Sequence, residues 1–147
     1  WDGSVVCAGP VTTWTHVSAG ELISFRSSLA LKMACDVMRD RGLDTPDQVG
    51  DMFIDAVSSG LSNPESVFSK LSASVDAETH LGHVLGGDLA AFRSYWLGQD
   101  IVILGEGDAA HWIEATLKSQ FAMVRRDPQD YLARGARAVR AHVLGEA

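Results

Sequence analysis

Ile101-Val102-Ile103-Leu104-Gly105-Glu106-Gly107-Asp108, running on through Ala109 to Gln120, is the stretch whose reading decides the fold. Four consecutive apolar residues predict a short strand buried on both faces, as in a sheet flanked by helices. Two glycines then make a sharp turn, and residues 109–120 follow as a helix. A glycine turn at the carboxyl end of a buried strand lets backbone come close to a ligand. The helix behind it offers free N–H groups and a positive dipole end, which suits a phosphate, a ribose or another anion. Phe121-Ala122-Met123-Val124 reads as the next strand, and Pro128 to Leu144 as a terminal helix. This is a βαβ unit with parallel strands and an expected right-handed crossover.

Upstream, the first 17 residues read as a β-hairpin: Val5-Val6-Cys7, a Gly9-Pro10 turn, and the alternating Val11 to Val17. Ser18 with Glu21 three residues on reads as a capping box, opening a helix over Leu22 to Arg39 with Leu22, Phe25, Leu29, Met33 and Val37 at helical spacing. A second helix follows from Pro46, with Thr45 as cap and Gly60 as stop, and a third starts at Asn63-Pro64-Glu65. A fourth spans Ala77 to Leu97, with Leu81, Leu85, Leu89, Phe92 and Trp96 on one stripe. Gly82, Gly86 and Gly87 interrupt that pattern; glycine inside a helix costs up to about 1 kcal/mol, so close packing or a ligand is expected there. The expectation is one α/β domain over residues 1–147: a short hairpin, a helical middle and a closing βαβα.

With 147 residues the chain can bury a full core unaided. Its formal charge of −7 argues against a nucleic-acid or anionic-membrane binder, since both rest on clustered positive charge. Apolar runs are only a few residues long, so no membrane span is expected. No leader pattern opens the chain. Cys7 and Cys35 lie outside any CxxC or Cys/His pattern, which fits reduced thiols and a cytoplasmic setting. Trp1 stands where Met would open a complete chain, so a longer parent is expected.

His80 and His83, at i and i+3, have only Glu78 or Asp88 as local third ligands, and surface histidines are the simpler reading; no metal site is expected. His16 and His111 stand apart from any nucleophile motif. Gly105-x-Gly107-x-x-Ala110 with Asp127 satisfies a relaxed dinucleotide fingerprint, which keeps a nicotinamide-dependent oxidoreductase as one rival. A topology with one βαβ unit at the chain end would exclude it.

Several segments in order resemble the 2-dehydro-3-deoxygalactonokinase family. Val17-Ser18-Ala19-Gly20-Glu21-Leu22 is similar to its TGEL segment, with Ala19 in place of Thr. Gly60-Leu61-Ser62-Asn63-Pro64 resembles its GL-x-x-P stretch, and Leu81 to Leu89 its SGLLIGAE helix. Ile101 to Gly105 looks like its adenosine-side strand and glycine turn, and Gly135-Ala136-Arg137 like its closing GxR helix. The departures are an arginine-containing strand missing between Ser74 and Leu81, and Glu106 and Asp108 where the family has small or hydroxyl residues.

The resemblance implies a sugar-acid kinase of the ribonuclease H-like, actin-like ATPase superfamily, of which this chain is the carboxy-terminal, nucleotide-side lobe. The substrates implied are ATP, with Mg²⁺, and a 2-keto-3-deoxy sugar acid. The amino-terminal lobe is the implied partner, with self-association expected from an apolar face. Gly105, Glu106, Gly107, Asp108 and Gly86 would lie on the nucleotide, and Gly20 and Glu21 on the sugar acid. The catalytic base falls outside this chain. A degenerate, non-catalytic lobe used for binding or oligomerisation is the alternative.

Overall fold

In a computed structural model of the chain, residues 1–127 and 131–145 are described. Five strands form one sheet in the order β3-β2-β1-β4-β5, with β1 Gly3–Cys7, β2 Thr12–Ser18, β3 Glu21–Ser28, β4 Asp100–Leu104 and β5 Met123–Asp127. β1–β2–β3 is an antiparallel meander, whereas β4 pairs parallel with both β1 and β5. The helices are α1 Ala30–Asp40, α2 Asp51–Ser62, α3 Val67–Ala73, α4 Ala77–Ala91, α5 Arg93–Trp96, α6 Gly107–Ser119 and α7 Tyr131–Leu144. Among the described residues, no helix is long and apolar enough to cross a membrane.

The four-residue apolar run is β4, and Ile101 and Ile103 are fully buried. Register places Val6 beside Ile103 and Trp14, and Trp14 beside Arg26, so one row crosses the sheet. Val6, Trp14 and Ile103 join Leu31, Met38, Phe53, Leu81 and Trp112 in a single core. Leu85 and Leu89 from α4 extend that core, where each buried side chain contributes roughly 1.5–3 kcal/mol.

The helix expected over Leu22 to Arg39 is two elements, strand β3 and then α1. The residues read as a capping box flank a two-residue hairpin turn: Ser18 pairs with Glu21 across Ala19 and Gly20, whose φ angles are 51° and 78°. Positive φ at both central positions defines a type I′ turn, which matches the twist of the strands it joins. Asp2 Oδ1 accepts the Ala19 N–H at 2.8 Å and steadies the alanine there. Beyond the turn, alternate residues of β3 meet the helical layer. Tyr95 donates to Ser24 Oγ at 3.2 Å, and Arg26 lies 5.4 Å from the Phe92 ring centroid.

Other boundaries shift for local reasons. The second helix begins at Asp51, because the chain bends at Asp47 and Gln48 and the Pro46 carbonyl accepts the Trp112 indole N–H at 3.0 Å. A 3-10 turn, Pro64–Ser66, precedes α3. The fourth helix breaks at Phe92, whose ring stacks 5.6 Å from that of Trp14. The strand expected from Phe121 starts at Met123, since the N–H groups of Phe121 and Ala122 close the end of α6 on Lys118 and Leu117 carbonyls. Pro128, expected to open the last helix, lies outside the described residues.

Candidate functional site: turns at the carboxyl ends of the parallel strands

Parallel pairing of β1 with β4 brings Cys7 beside Leu104, so both strands end at one edge of the sheet. Asp127, the last residue of β5, pairs with Leu104, and Ser28 ends β3 at the same edge. Two turns meet there. Residues 8–11 link β1 to β2, and Gly105-Glu106 links β4 to α6. The Ala8 N–H donates to the Leu104 carbonyl at 2.8 Å, which locks the turns together. Gly105 has φ +123°, and a Cβ there would meet the Ala8 carbonyl oxygen at 2.8 Å. Only glycine satisfies both conditions.

Glu106, extended at φ −123°, is the residue before α6 and makes no side-chain cap, so its backbone alone starts the helix. Gly107 has φ +76° with nothing within 4 Å of a built Cβ. Glu106, Gly107 and Asp108 are all exposed. The first N–H groups of α6 therefore open outward beside two carboxylates, a surface suited to hydroxyl and amino groups as well as to anions.

Asp88 on α4 reaches the same edge from beneath. Its carboxylate accepts from Ser28 Oγ at 2.6 Å, and Ser28 Oγ also accepts the Ala30 N–H at 3.1 Å, joining β3, α1 and α4. Burial pushes the Asp88 carboxyl above the ordinary value of 3.8, against the opposing pull of the Ser28 hydrogen bond.

The residues singled out in sequence fall in three places. Gly105, Glu106, Gly107 and Asp108 form one turn at the strand ends. Gly20 and Glu21 stand at the opposite end of the sheet: β3 runs from Glu21 to Ser28, roughly 23 Å at about 3.3 Å per residue. Gly86 is buried inside the α2–α4 contact, where a Cβ would strike the Val57 carbonyl oxygen and lie 2.9 Å from the Leu61 nitrogen. His83 Nδ1 bonds the Ala56 carbonyl at 3.1 Å, and His80 is fully buried. Among the described residues, no three His, Cys, Asp or Glu side chains gather as a metal site.

The turn at residues 8–11 was legible as a hairpin but not as the neighbour of Gly105, because β1 and β4 are separated by most of the chain. Ser28 was hidden inside an expected helix. The signal available for it was Gly20, which marks a hairpin turn and hence a third strand.

No family model matches this chain, and no curated protein does. A solved structure does: a protein from Sinorhizobium meliloti described as a "putative 2-dehydro-3-deoxygalactonokinase" is similar at a TM-score of 0.80 and 19% identity. The likeness covers 99% of this chain and 54% of that one, so this chain spans about half of that protein's length. At that identity the shared property is the fold.

Proposed function

We propose that this chain is the carboxy-terminal lobe of a two-lobed, ATP-dependent kinase of the ribonuclease H-like, actin-like ATPase type, acting on a 2-keto-3-deoxy sugar acid. The observation that carries the reading is the likeness of essentially the whole chain to about half of the protein described as a "putative 2-dehydro-3-deoxygalactonokinase". The collinear resemblance in sequence points the same way. A dinucleotide-binding domain is disfavoured, because β2 runs antiparallel to both its neighbours and, among the described residues, the one direct βαβ unit is β4-α6-β5.

Charge favours one orientation. Glu106 and Asp108 repel phosphates, so in this reading the turn they occupy receives the ribose side of ATP, whose hydroxyls donate to carboxylates. The turn at residues 8–11 carries no acidic residue and takes the phosphate side. Room for the nucleotide is left at Gly107, where nothing lies within 4 Å of a built Cβ, while Gly105 packs against Ala8 and shapes the turn. Mg²⁺ would be held by phosphate oxygens and water and would neutralise charge on the triphosphate. Asp88, tethered by Ser28, positions the junction of β3 and α1. Gly86 serves that arrangement by letting α4 approach α2. Gly20 and Glu21 stand outside this nucleotide surface, and a sugar-acid role for them needs a separate approach to the far end of the sheet.

A second reading, a lobe that keeps the fold without catalysis, is favoured by the same Glu106 and Asp108. ADP release with 2-keto-3-deoxygalactonate, assayed for this chain alone and joined to its amino-terminal lobe, separates them. Turnover only in the joined protein is expected, because in-line transfer needs phosphate, metal and acceptor held between two surfaces. Turnover by neither, with ATP binding retained, moves the reading to the non-catalytic lobe. Turnover by this chain alone defeats the two-lobe reading.

A further inference from the structure

A groove of about 610 Å³ lies between α1 and α3 with α4 as its floor, and residues 105–108 are not among its lining. That volume falls within the range of small-molecule sites. Met33 and Val37 form one wall, Phe68 and Leu71 the other, and Val84 the floor between them. Met33 is 52% and Phe68 76% exposed, so the groove keeps apolar lips open to water. The groove is polar only at its extremities. Arg41 and His80 lie towards one, Asp88 at the other.

His80 has no exposed surface, and neither ring nitrogen has a hydrogen-bond partner. A buried imidazole without partners forfeits the hydrogen bonds it makes in water, a cost of about 1–3 kcal/mol. The Arg41 guanidinium is held at the groove margin by the Leu71 carbonyl at 2.7 Å and the Ser74 carbonyl at 3.2 Å. One nitrogen accounts for both bonds, so the fork keeps further N–H donors. Asp88 is already bonded to Ser28, and its carboxylate disfavours an anion at that end.

We propose that this groove binds a linear amphiphile with one carboxylate, its head group between Arg41 and His80 and its apolar chain lying over Val84 towards Gly87. The charge of Arg41 selects the head group, and a turn of the buried, unpartnered His80 ring towards the groove would supply a second donor. The length follows from α4: His80 and Asp88 are eight residues apart, about 12 Å at 1.5 Å per residue. That span matches a medium-chain fatty acid such as decanoate. The proposal is independent of the kinase reading, since it uses none of the strand-end residues as ligand contacts except Asp88 as a limit.

The test is calorimetric titration of the 147-residue chain with decanoate below its micelle concentration, beside decyltrimethylammonium, which has the same chain length and opposite charge. Saturable one-site binding of decanoate, at least tenfold tighter than the cation, is expected. Arg41→Gln keeps an amide donor for the Leu71 and Ser74 carbonyls but removes the charge, and should weaken decanoate at least tenfold. Phe68→Asp alters an exposed lip and should do the same, with an unchanged melting temperature showing that the fold is intact. Equal binding of both amphiphiles, or wild-type affinity in both variants, overturns the proposal. So does a concentration-dependent dimer with no saturable decanoate binding, because a second copy would then be the occupant.

Discussion

The glycines of α4 and those of the β4–α6 turn are the same residue used for opposite reasons. At Gly82 and Gly86 the space is closed. A Cβ at Gly82 would lie 2.6 Å from the Phe53 carbonyl oxygen, so the missing side chain is what lets α2 and α4 touch along their backbones. At Gly107 the space is open and φ is +76°, so the missing side chain permits a conformation rather than a contact. Gly105 combines both demands. A glycine cluster therefore does not by itself mark a ligand site; the surroundings of the absent Cβ distinguish packing from access.

Gly86→Leu is the harshest way to break this comparison. It forces α4 off α2 and should destabilise the fold by roughly 3 kcal/mol in urea titration. A melt matching wild type would mean that the two helices do not meet as described. Gly105→Val should cost about 2 kcal/mol through positive φ and the clash with Ala8. In the two-lobed protein it should also weaken ATP at least tenfold, whereas Gly86→Leu should lower ATP affinity only in step with the folded fraction. Equal ATP affinity in Gly105→Val and wild type would remove the turn from the nucleotide site. Gly107→Ala isolates the conformational term, because there is room for the methyl. About 1 kcal/mol is expected, and no loss would show that the turn relaxes freely.

The smallest effect is electrostatic. Burial raises the Asp88 pKa above its unfolded value, so the folded state holds this proton more tightly than the unfolded chain. Stability contributed by the group is therefore present in acid and lost as pH rises from the ordinary value of 3.8 through the folded pKa. Asp88→Asn should flatten this part of the pH–stability curve, measured as the difference from wild type. A parallel pair of curves would show that the carboxyl titrates as an exposed one.

Legibility in the sequence followed burial. The run Ile101 to Leu104 is read easily because a strand covered on both faces tolerates no polar alternation. β3 defeats the same reasoning. It is an edge strand with Leu22, Ile23 and Phe25 all more than half exposed, so no buried stripe imposes period two. Leu22, Phe25, Leu29 and Met33 fall at helical intervals although the first two belong to β3, Leu29 precedes α1 and Met33 lies within it, and all four are exposed. Ala19 conceals the I′ turn that Asn-Gly would have announced. The Gly105 turn was legible as a candidate site from local chemistry alone. Its meeting with residues 8–11, and the separation of Gly20 and Glu21 from both, depend on which strands pair, and pairing across most of the chain leaves no local trace.

That long-range pairing carries a kinetic consequence. The meander β1–β2–β3 and the helix pair α2–α4 close over modest loops, but β4 pairs with β1 across the whole stretch of chain from Cys7 to Asp100. Loop-closure entropy places that step late, since contacts distant in sequence form at greater entropic cost than local ones. The edge where β1 and β4 end together should thus be the last part of the molecule to assemble during folding, with the turns at residues 8–11 and Gly105 separate until then.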